Sequence, residues 1–187
     1  AIIFPVAFGL IAIADPVVRK VFGQEFFPSI APLRFLLLSL IFGFLSFITG
    51  ALLNAVNKQK TQTGLMALVL VVNIILNLIL LPRLGITGAA IAALASNVVL
   101  CLAGFYFAGR QVVINLKNII KYINQTLWPA LIMGAVVYYL SEKLHYIPTI
   151  LIGGVIYFIL IYFTGVFNKQ NITIILSKVR LSSRARQ

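Results

Sequence analysis

The residue best suited to binding an anion in this sequence is Arg34, a charged side chain near the start of a long apolar segment. A planar guanidinium group matches phosphate oxygens through paired hydrogen bonds. The same side chain can instead extend to the lipid headgroups from a helix end. Arg34 is therefore a candidate for contact with an anionic substrate, and an interfacial anchor is the alternative interpretation.

Two asparagines form a second candidate feature, because Asn73 and Asn77 are four residues apart in an otherwise oily run. This spacing places both amides on one face of a helix. An amide without a partner is costly in hydrocarbon, so we expect this face to meet another helix or a water-filled cavity. Interhelical hydrogen bonding and lining of a substrate cavity both stay open.

A third feature is a stripe of small and polar residues on one face of the segment that contains Arg34. The stripe consists of Ser39, Gly43, Ser46, Gly50 and Asn54. Small faces allow helices to approach closely, and they also occur on sliding surfaces of transporters. Packing is the favoured role for the glycines, whereas Ser39, Ser46 and Asn54 are candidates for a polar cavity.

A compact hairpin is predicted after the two asparagines. Pro82 is expected to end the first helix, and Gly85 and Gly88 are expected to permit a tight reversal. The helix that follows carries small residues at helical spacing, which favours packing on the preceding helix. The two small stripes are Gly88, Ala92 and Ser96, and Ala89, Ala93 and Asn97.

Residues for enzymatic chemistry are scarce. His145 lies in a predicted loop beside Glu142, and the single cysteine, Cys101, lies in an apolar run. No carboxylate pair, metal-ligand spacing, nucleophile motif or phosphate loop is found. We therefore expect neither an enzyme nor a bound metal or cofactor.

The elements that carry these residues are membrane helices. Of the 187 residues, 61% are hydrophobic, and the mean hydropathy is +1.08, which is too apolar for a soluble domain of this size. Spans of about 20 apolar residues cross a bilayer as helices. About six segments qualify or nearly qualify, at residues 1–14, 30–53, 64–81, 86–108, 127–140 and 147–167. The predicted fold is an all-α polytopic membrane bundle.

The distribution of basic residues predicts the orientation. The net charge is +12, and Lys and Arg are concentrated in alternate loops and the tail, which indicates an anionic lipid surface rather than nucleic acid. The side with more basic residues, which is the cytoplasmic side by this rule, carries Lys58, Lys60, Arg110, Lys117, Lys121, Lys169, Lys178, Arg180, Arg184 and Arg186. The C-terminus is therefore predicted to be cytoplasmic. Ile172, Ile175, Leu176 and Val179 have helical spacing, which favours a surface helix in the tail over a disordered basic segment.

Several motifs together resemble the flippases of polysaccharide precursors. The stretches that carry the resemblance are Asp15–Pro16 with residues 21–26, residues 33–37, residues 53–61, and Asn73, Asn77, Pro82, Gly85, Gly88, Ala89, Ala90 and Ala92. The residues 53–61 hairpin departs from the family pattern, because Asn57 replaces a glycine, although Asn tolerates a left-handed φ. The same superfamily includes multidrug exporters and the lipid II flippases of peptidoglycan synthesis.

The resemblance implies a transporter with fourteen helices in two lobes. Residues 1–110 would be the last four helices of the second lobe, residues 111–126 a cytoplasmic loop, residues 127–167 an additional helix pair, and residues 168–187 a basic cytoplasmic tail. The chain, which begins with Ala1 inside an apolar run, is expected to be the C-terminal piece of a longer protein in the cytoplasmic membrane.

The activity implied is alternating-access flipping of a polyprenyl-diphosphate-linked oligosaccharide for surface polysaccharide such as O-antigen. The implied partners are membrane lipids, this substrate, and a glycan polymerase or glycosyltransferase. Two alternatives stay open: a cation-coupled drug or metabolite antiporter of the same superfamily, and a membrane scaffold that transports nothing.

Overall fold

The computed structural model describes residues 2–111, 116–141 and 146–164, and these residues form helices joined by short connections. The described parts of the six predicted apolar segments lie in helices, apart from Ile2 and Thr164 at the two ends, which confirms an all-α polytopic membrane protein. The helices are α1 (Ile3–Val17), α2 (Ile30–Ala55), α3 (Gln59–Leu84), α4 (Ile86–Gln111), α5 (Leu116–Ser141) and α6 (Tyr146–Phe163). A π-helical turn (Val18–Phe22) and a 3-10 helix (Gln24–Ser29) connect α1 to α2.

Three of the described helices are long and apolar enough to cross a membrane. They are α2 together with the 3-10 helix before it, α3 and α4. Each of α2, α3 and α4 has 26 residues, which corresponds to about 39 Å of helix against a hydrocarbon thickness of about 30 Å. The crossing of α1, α5 and α6 stays a prediction, and α1, with 15 residues, is the shortest.

The six helices pack in an order that differs from their order in the chain. Helix α4 lies between α3 and α2, and α1 lies between α2 and α5. Helix α6 packs on both α5 and α1. The largest buried apolar cluster joins α1, α5 and α6, with Ile41 contributed by α2. A smaller cluster of Leu53, Leu65 and Ala108 joins α2, α3 and α4. We call the end of the bundle that carries Asp15, Arg34 and Gly85 the predicted outer end.

The turn between α2 and α3 confirms the interpretation of Asn57. Asn57 has a φ of 58°, and in the part of the chain that the structure describes it is the only residue other than glycine with a positive φ. The backbone N–H of Lys58 donates to Leu53 O at 2.8 Å and closes the end of α2. Asn is among the residues that adopt this left-handed conformation most readily, so the replacement of glycine leaves the turn intact.

The hairpin between α3 and α4 is compact as predicted, but its residues act differently from our expectation. Pro82 does not end α3; it lies inside the last turn, and the helix continues to Leu84. The reversal occurs at Gly85, which has a φ of 56°. Gly88 lies inside α4, where a Cβ atom would contact Leu80 O, so its small size serves close packing rather than the turn. A proline stops a helix only where its missing N–H and its ring cannot be accommodated.

Helix α5 begins at Leu116, well before the apolar segment predicted from residue 127. Much of the stretch that we expected to be a loop is therefore helical. The first part of α5 contains polar and basic residues such as Lys121 and Gln125, so a search for apolar runs does not detect it. The cytoplasmic position of this stretch stays a prediction, as does the assignment of the helices to a lobe and to an additional pair. The predicted tail helix, Glu142 and His145 lie outside the described residues.

Candidate functional site

The two asparagines of α3 form a hydrogen-bonded network with α4. The side-chain amide of Asn73 donates from Nδ2 to Ser96 Oγ at 3.0 Å. Asn77 Nδ2 donates to the backbone oxygen of Asn73 at 2.9 Å and to Asn73 Oδ1 at 3.0 Å. Ser96 in turn donates to Ala92 O at 2.7 Å. Asn73 therefore contacts α4 directly, whereas Asn77 bonds within α3 to Asn73, and the geometry of Asn73 favours interhelical bonding over the lining of a cavity.

Part of the small and polar stripe of α2 packs against α4, a pairing that the sequence did not predict, while a Cβ atom at Gly50 would meet the side chain of Gln62 on α3. Asn97 Nδ2 donates to Ser39 Oγ at 2.7 Å, and a Cβ atom at Gly43 would lie 3.8 Å from Asn97 Oδ1. Further along, a Cβ atom at Gly104 would clash with Thr49 Oγ1. From the contact at Asn97 to the contact at Gly104, residue numbers increase along both helices. Helices α2 and α4 therefore run parallel.

The two small stripes of α4 therefore contact two different helices. Gly88, Ala92 and Ser96 lie on the face toward α3, whereas Ala93 and Asn97 lie toward α2. We had expected both stripes to pack on the preceding helix. The sequence does contain a signal for this division. The two stripes are offset by one residue, and one residue corresponds to a rotation of about 100° around the helix axis.

The polar residues of the α2 stripe have unequal environments. Ser46 Oγ donates to Phe42 O at 2.8 Å within its own helix, and Thr49 Oγ1 donates to Ser46 O at 2.9 Å. Asn54 is exposed at the end of α2. Ser39 lines an open cavity of about 640 Å³ between α2 and α4. Of the predicted cavity residues on this stripe, Ser39 is thus the one that borders a described cavity.

Arg34 lies apart from these networks, where α1, α2 and α5 meet. Its Nε atom is buried and has no hydrogen-bond partner, and no ion pair to it is found among the described residues. Two cavities, of about 430 Å³ and 370 Å³, both border Arg34 and Tyr138. The larger of these is lined by Asp15, Pro16, Arg19, Lys20, Arg34, Tyr138 and Ser141.

A second cation at this end is already partnered. Arg19 Nε lies 2.8 Å from Asp15 Oδ2, and its guanidinium carbon lies 3.8 Å from the centre of the Phe27 ring. Lys20, on the same turn, is exposed and borders the larger cavity. Among the described residues, three cations and one carboxylate therefore line the larger cavity, and that carboxylate pairs with Arg19.

No group of three histidine, cysteine or acidic residues that could hold a metal ion is found in the part of the chain that the structure describes. The residues of these networks offer hydrogen bonding, and the guanidinium group of Arg34 is suited to anions. Arg34 and Ser39 border cavities, whereas Asn73 and Ser96 join α3 to α4 and Asn77 bonds to Asn73 within α3. The roles of all of them toward a substrate stay predictions.

Comparison with known proteins places the chain among membrane transporters. A protein-family model described as "Lipid II flippase MurJ" matches residues 1–157. The match includes α1 to α5 and most of α6. Searches of curated proteins and of solved structures found no match.

Proposed function

Since the chain belongs to the MurJ family of lipid II flippases, we propose that the protein flips a polyprenyl-diphosphate-linked oligosaccharide, with lipid II as its substrate. The single observation that carries this proposal is the family match, which extends over most of the chain. The apolar helices α2, α3 and α4 support it, because a flippase must cross the bilayer that its substrate crosses. We place the activity in the cytoplasmic membrane, with the C-terminus inside.

The substrate proposed here differs from the surface glycan that the motifs suggested. Both substrate classes join a glycan to a polyprenyl carrier through a diphosphate, so both present the same anionic group to a transporter. The family match favours the peptidoglycan precursor over O-antigen and other surface polysaccharides. We retain the surface-glycan precursor as the competing substrate in the experiment below.

The mechanism that we propose is alternating access by rigid groups of helices. The parallel seam of α2 and α4 and the hydrogen bond between Asn73 and Ser96 support such rigidity. Interfaces packed this closely move as units rather than deform. Helices α2, α3 and α4 would then move together when the substrate site opens to the other side.

The proposal is tested in cells depleted of their own lipid II flippase. We expect production of the complete protein to restore growth and to return lipid II to the outer leaflet, measured with a membrane-impermeant glycan-modifying enzyme. A second strain, which lacks its surface-polysaccharide flippase, serves as the control for substrate. Restoration of the surface glycan alone would transfer the proposal to the competing substrate. Failure in both strains, with the protein present in the membrane, would contradict it.

A further inference from the structure

Helices α2, α3 and α4 are closely joined to one another, and we call them the first group. Hydrogen bonds join α2 to α4 at Ser39 and Asn97 and join α3 to α4 at Asn73 and Ser96. Interfaces that combine close packing with directional bonds resist deformation. The first group is therefore expected to move as a unit.

Helices α1, α5 and α6 form a second group. They share the largest buried apolar cluster, and a Cβ atom at Gly153 of α6 would overlap the side chain of Val137 of α5. Gln125 Nε2 of α5 also donates to Thr164 O at 3.1 Å, directly after the end of α6. The same packing argument makes the second group a unit of its own.

The contact between the two groups is looser than the packing within each of them. Near the predicted outer end, cavities of about 430 Å³ and 370 Å³ lie between α1, α2 and α5, and α2 contributes Arg34 alone to both linings. Farther along, α2 meets the second group through the apolar side chains of Leu38, Ile41 and Leu45. Apolar contacts are not directional, so these residues can slide without breaking a hydrogen bond.

The connection from α1 to α2 is the link between the two groups that the structure describes, and its backbone is irregular. Pro16 lies inside the end of α1 and has no N–H to donate to the preceding turn. The chain then forms the π-helical turn Val18–Phe22 and reaches Gly23, which has a φ of 91°. Hinges consist of a few such residues at the ends of elements, and π-helical turns are frequent at functional sites.

We propose that the π-helical turn and Gly23 form a hinge between the two groups, and that Arg19 is a latch that holds the hinge at its present angle. The proposal goes beyond the transport activity, because it concerns motion within these six helices in the absence of substrate. It stands or falls whether or not the protein flips lipid II.

Arg19 connects the two sides of this hinge. On the side of α1, its Nε atom lies 2.8 Å from Asp15 Oδ2. On the side of α2, its guanidinium carbon lies 3.8 Å from the centre of the Phe27 ring, which belongs to the 3-10 helix that leads into α2. A cation is attracted to the face of an aromatic ring. Because Gly23 lies between Arg19 and Phe27, a change of angle at Gly23 would separate them.

Gly23 has a backbone conformation that other residues rarely adopt. Its φ of 91° and ψ of 176° lie in a region open essentially to glycine. A Cβ atom at Gly23 would have nothing within 4 Å, so the backbone alone opposes an alanine. Gly85 is a matched control, because it also has a positive φ and open space around it. It lies in the turn between α3 and α4, inside the first group.

The experiment measures distances between pairs of spin labels on the complete protein, without added lipid II and without native cysteines, which includes Cys101→Ala. Leu102→Cys on α4 with Tyr162→Cys on α6 reports across the groups. Leu102→Cys with Leu78→Cys on α3 reports within the first group. All three positions are exposed and lie away from the hinge. We expect the distances across the groups to be distributed about twice as broadly as those within the group, because a hinge permits collective motion.

Two changes remove the latch. Arg19→Gln and Phe27→Leu should each raise the population of the second distance across the groups, relative to the first, about two- to fivefold, which corresponds to a surface cation–π contact. Arg110→Gln is the control, since the Arg110 guanidinium carbon lies 4.5 Å from the Tyr106 ring within α4. It should leave the distances across the groups unchanged.

A third change acts on the hinge itself. Gly23→Ala should shift the distances across the groups, because alanine relaxes toward a negative φ. Gly85→Ala introduces the same kind of backbone strain inside the first group and should leave the distances across the groups in place.

Three results would overturn the proposal. The first is a distribution across the groups that is as narrow as the one within the first group in every variant. The second is an unchanged distribution across the groups in both Arg19→Gln and Phe27→Leu. The third is an equal shift in Gly23→Ala and Gly85→Ala, since the shift would then report backbone strain in general.

Discussion

At the scale of single residues, polar groups in this bundle are placed by their hydrogen-bond partners. The sequence predicted that the amides of Asn73 and Asn77 have partners, because the cost of an unpaired amide depends on residue type alone, and both amides are hydrogen-bonded. The partner could not be predicted in the same way, since several helices could supply it. Asn97, for example, bonds to Ser39, which is 58 positions away in the sequence. This contact depends on which helices are neighbours, and a local sequence pattern does not show that.

The bond between Asn73 and Ser96 predicts a measurable coupling. Asn73→Ala and Ser96→Ala should each destabilise the protein, and the double variant should lose less than the sum of the two. A coupling free energy of about 0.6 kcal/mol, and at most about 2 kcal/mol, is expected for such a bond in a membrane. Reversible unfolding in mixed micelles measures it.

Asn77 provides the control for this comparison of single and double variants. Its Nδ2 atom bonds only to Asn73 among the described residues, so its coupling to Ser96 should be smaller. If Asn73 and Ser96 prove additive, or if Asn77 couples to Ser96 as strongly as Asn73 does, the assigned bond is wrong.

At the scale of helices, small residues determine which faces meet. The predicted stripes on α2 and α4 are real packing faces, since helical spacing fixes which residues share a face. The sequence does not contain enough information to say which helix each stripe contacts. Our prediction placed both α4 stripes against α3. The structure divides them between α3 and α2 because α4 lies between these helices.

Two glycines give opposite predictions, because Gly104 lies in the seam between α2 and α4 and Gly64 lies on α3 away from it. Gly104→Ala should destabilise the protein by about 1–3 kcal/mol, because its Cβ would overlap Thr49 Oγ1 and force a shift in a packed interface. Gly64→Ala should be neutral or stabilise by up to about 1 kcal/mol, since nothing lies within 4 Å and alanine favours the helix. Unfolding in mixed micelles measures both.

Thr49 supplies the check that the clash is the cause. Thr49→Ala removes the overlapping oxygen and should recover part of the stability lost in Gly104→Ala. Equal stabilities of the two glycine variants would contradict the parallel α2–α4 seam.

At the scale of the whole molecule, the all-α membrane architecture followed from composition and the length of apolar runs. These properties are sufficient because lipid excludes unpaired backbone groups. The packing order of the helices was not predictable, since hydropathy is nearly equal on faces that meet protein and on faces that meet lipid. The exposed face of α3, with Leu78 72% exposed, has the same kind of residues as the buried clusters.

Orientation is the prediction at this scale that still needs a measurement. In a Cys101→Ala background, Gln59→Cys should react with a membrane-impermeant maleimide only after the inner face is opened. Arg83→Cys should react in intact cells. Both positions are exposed and lie at opposite ends of α3. Reaction of the cysteine at position 59 in intact cells, together with protection of the one at position 83, would reverse the assigned orientation.

The most direct test of the account is translocation of lipid II by the purified complete protein in sealed vesicles. Fluorescent lipid II is placed in both leaflets, and a membrane-impermeant reductant destroys the fluorophores that reach the outside. Vesicles with the protein should lose nearly all the signal, whereas vesicles without it should keep the inner-leaflet share. A fluorescent phospholipid that stays protected shows that the vesicles do not leak. Retention of the inner-leaflet lipid II signal, with folded protein in the vesicles, would contradict the flippase assignment.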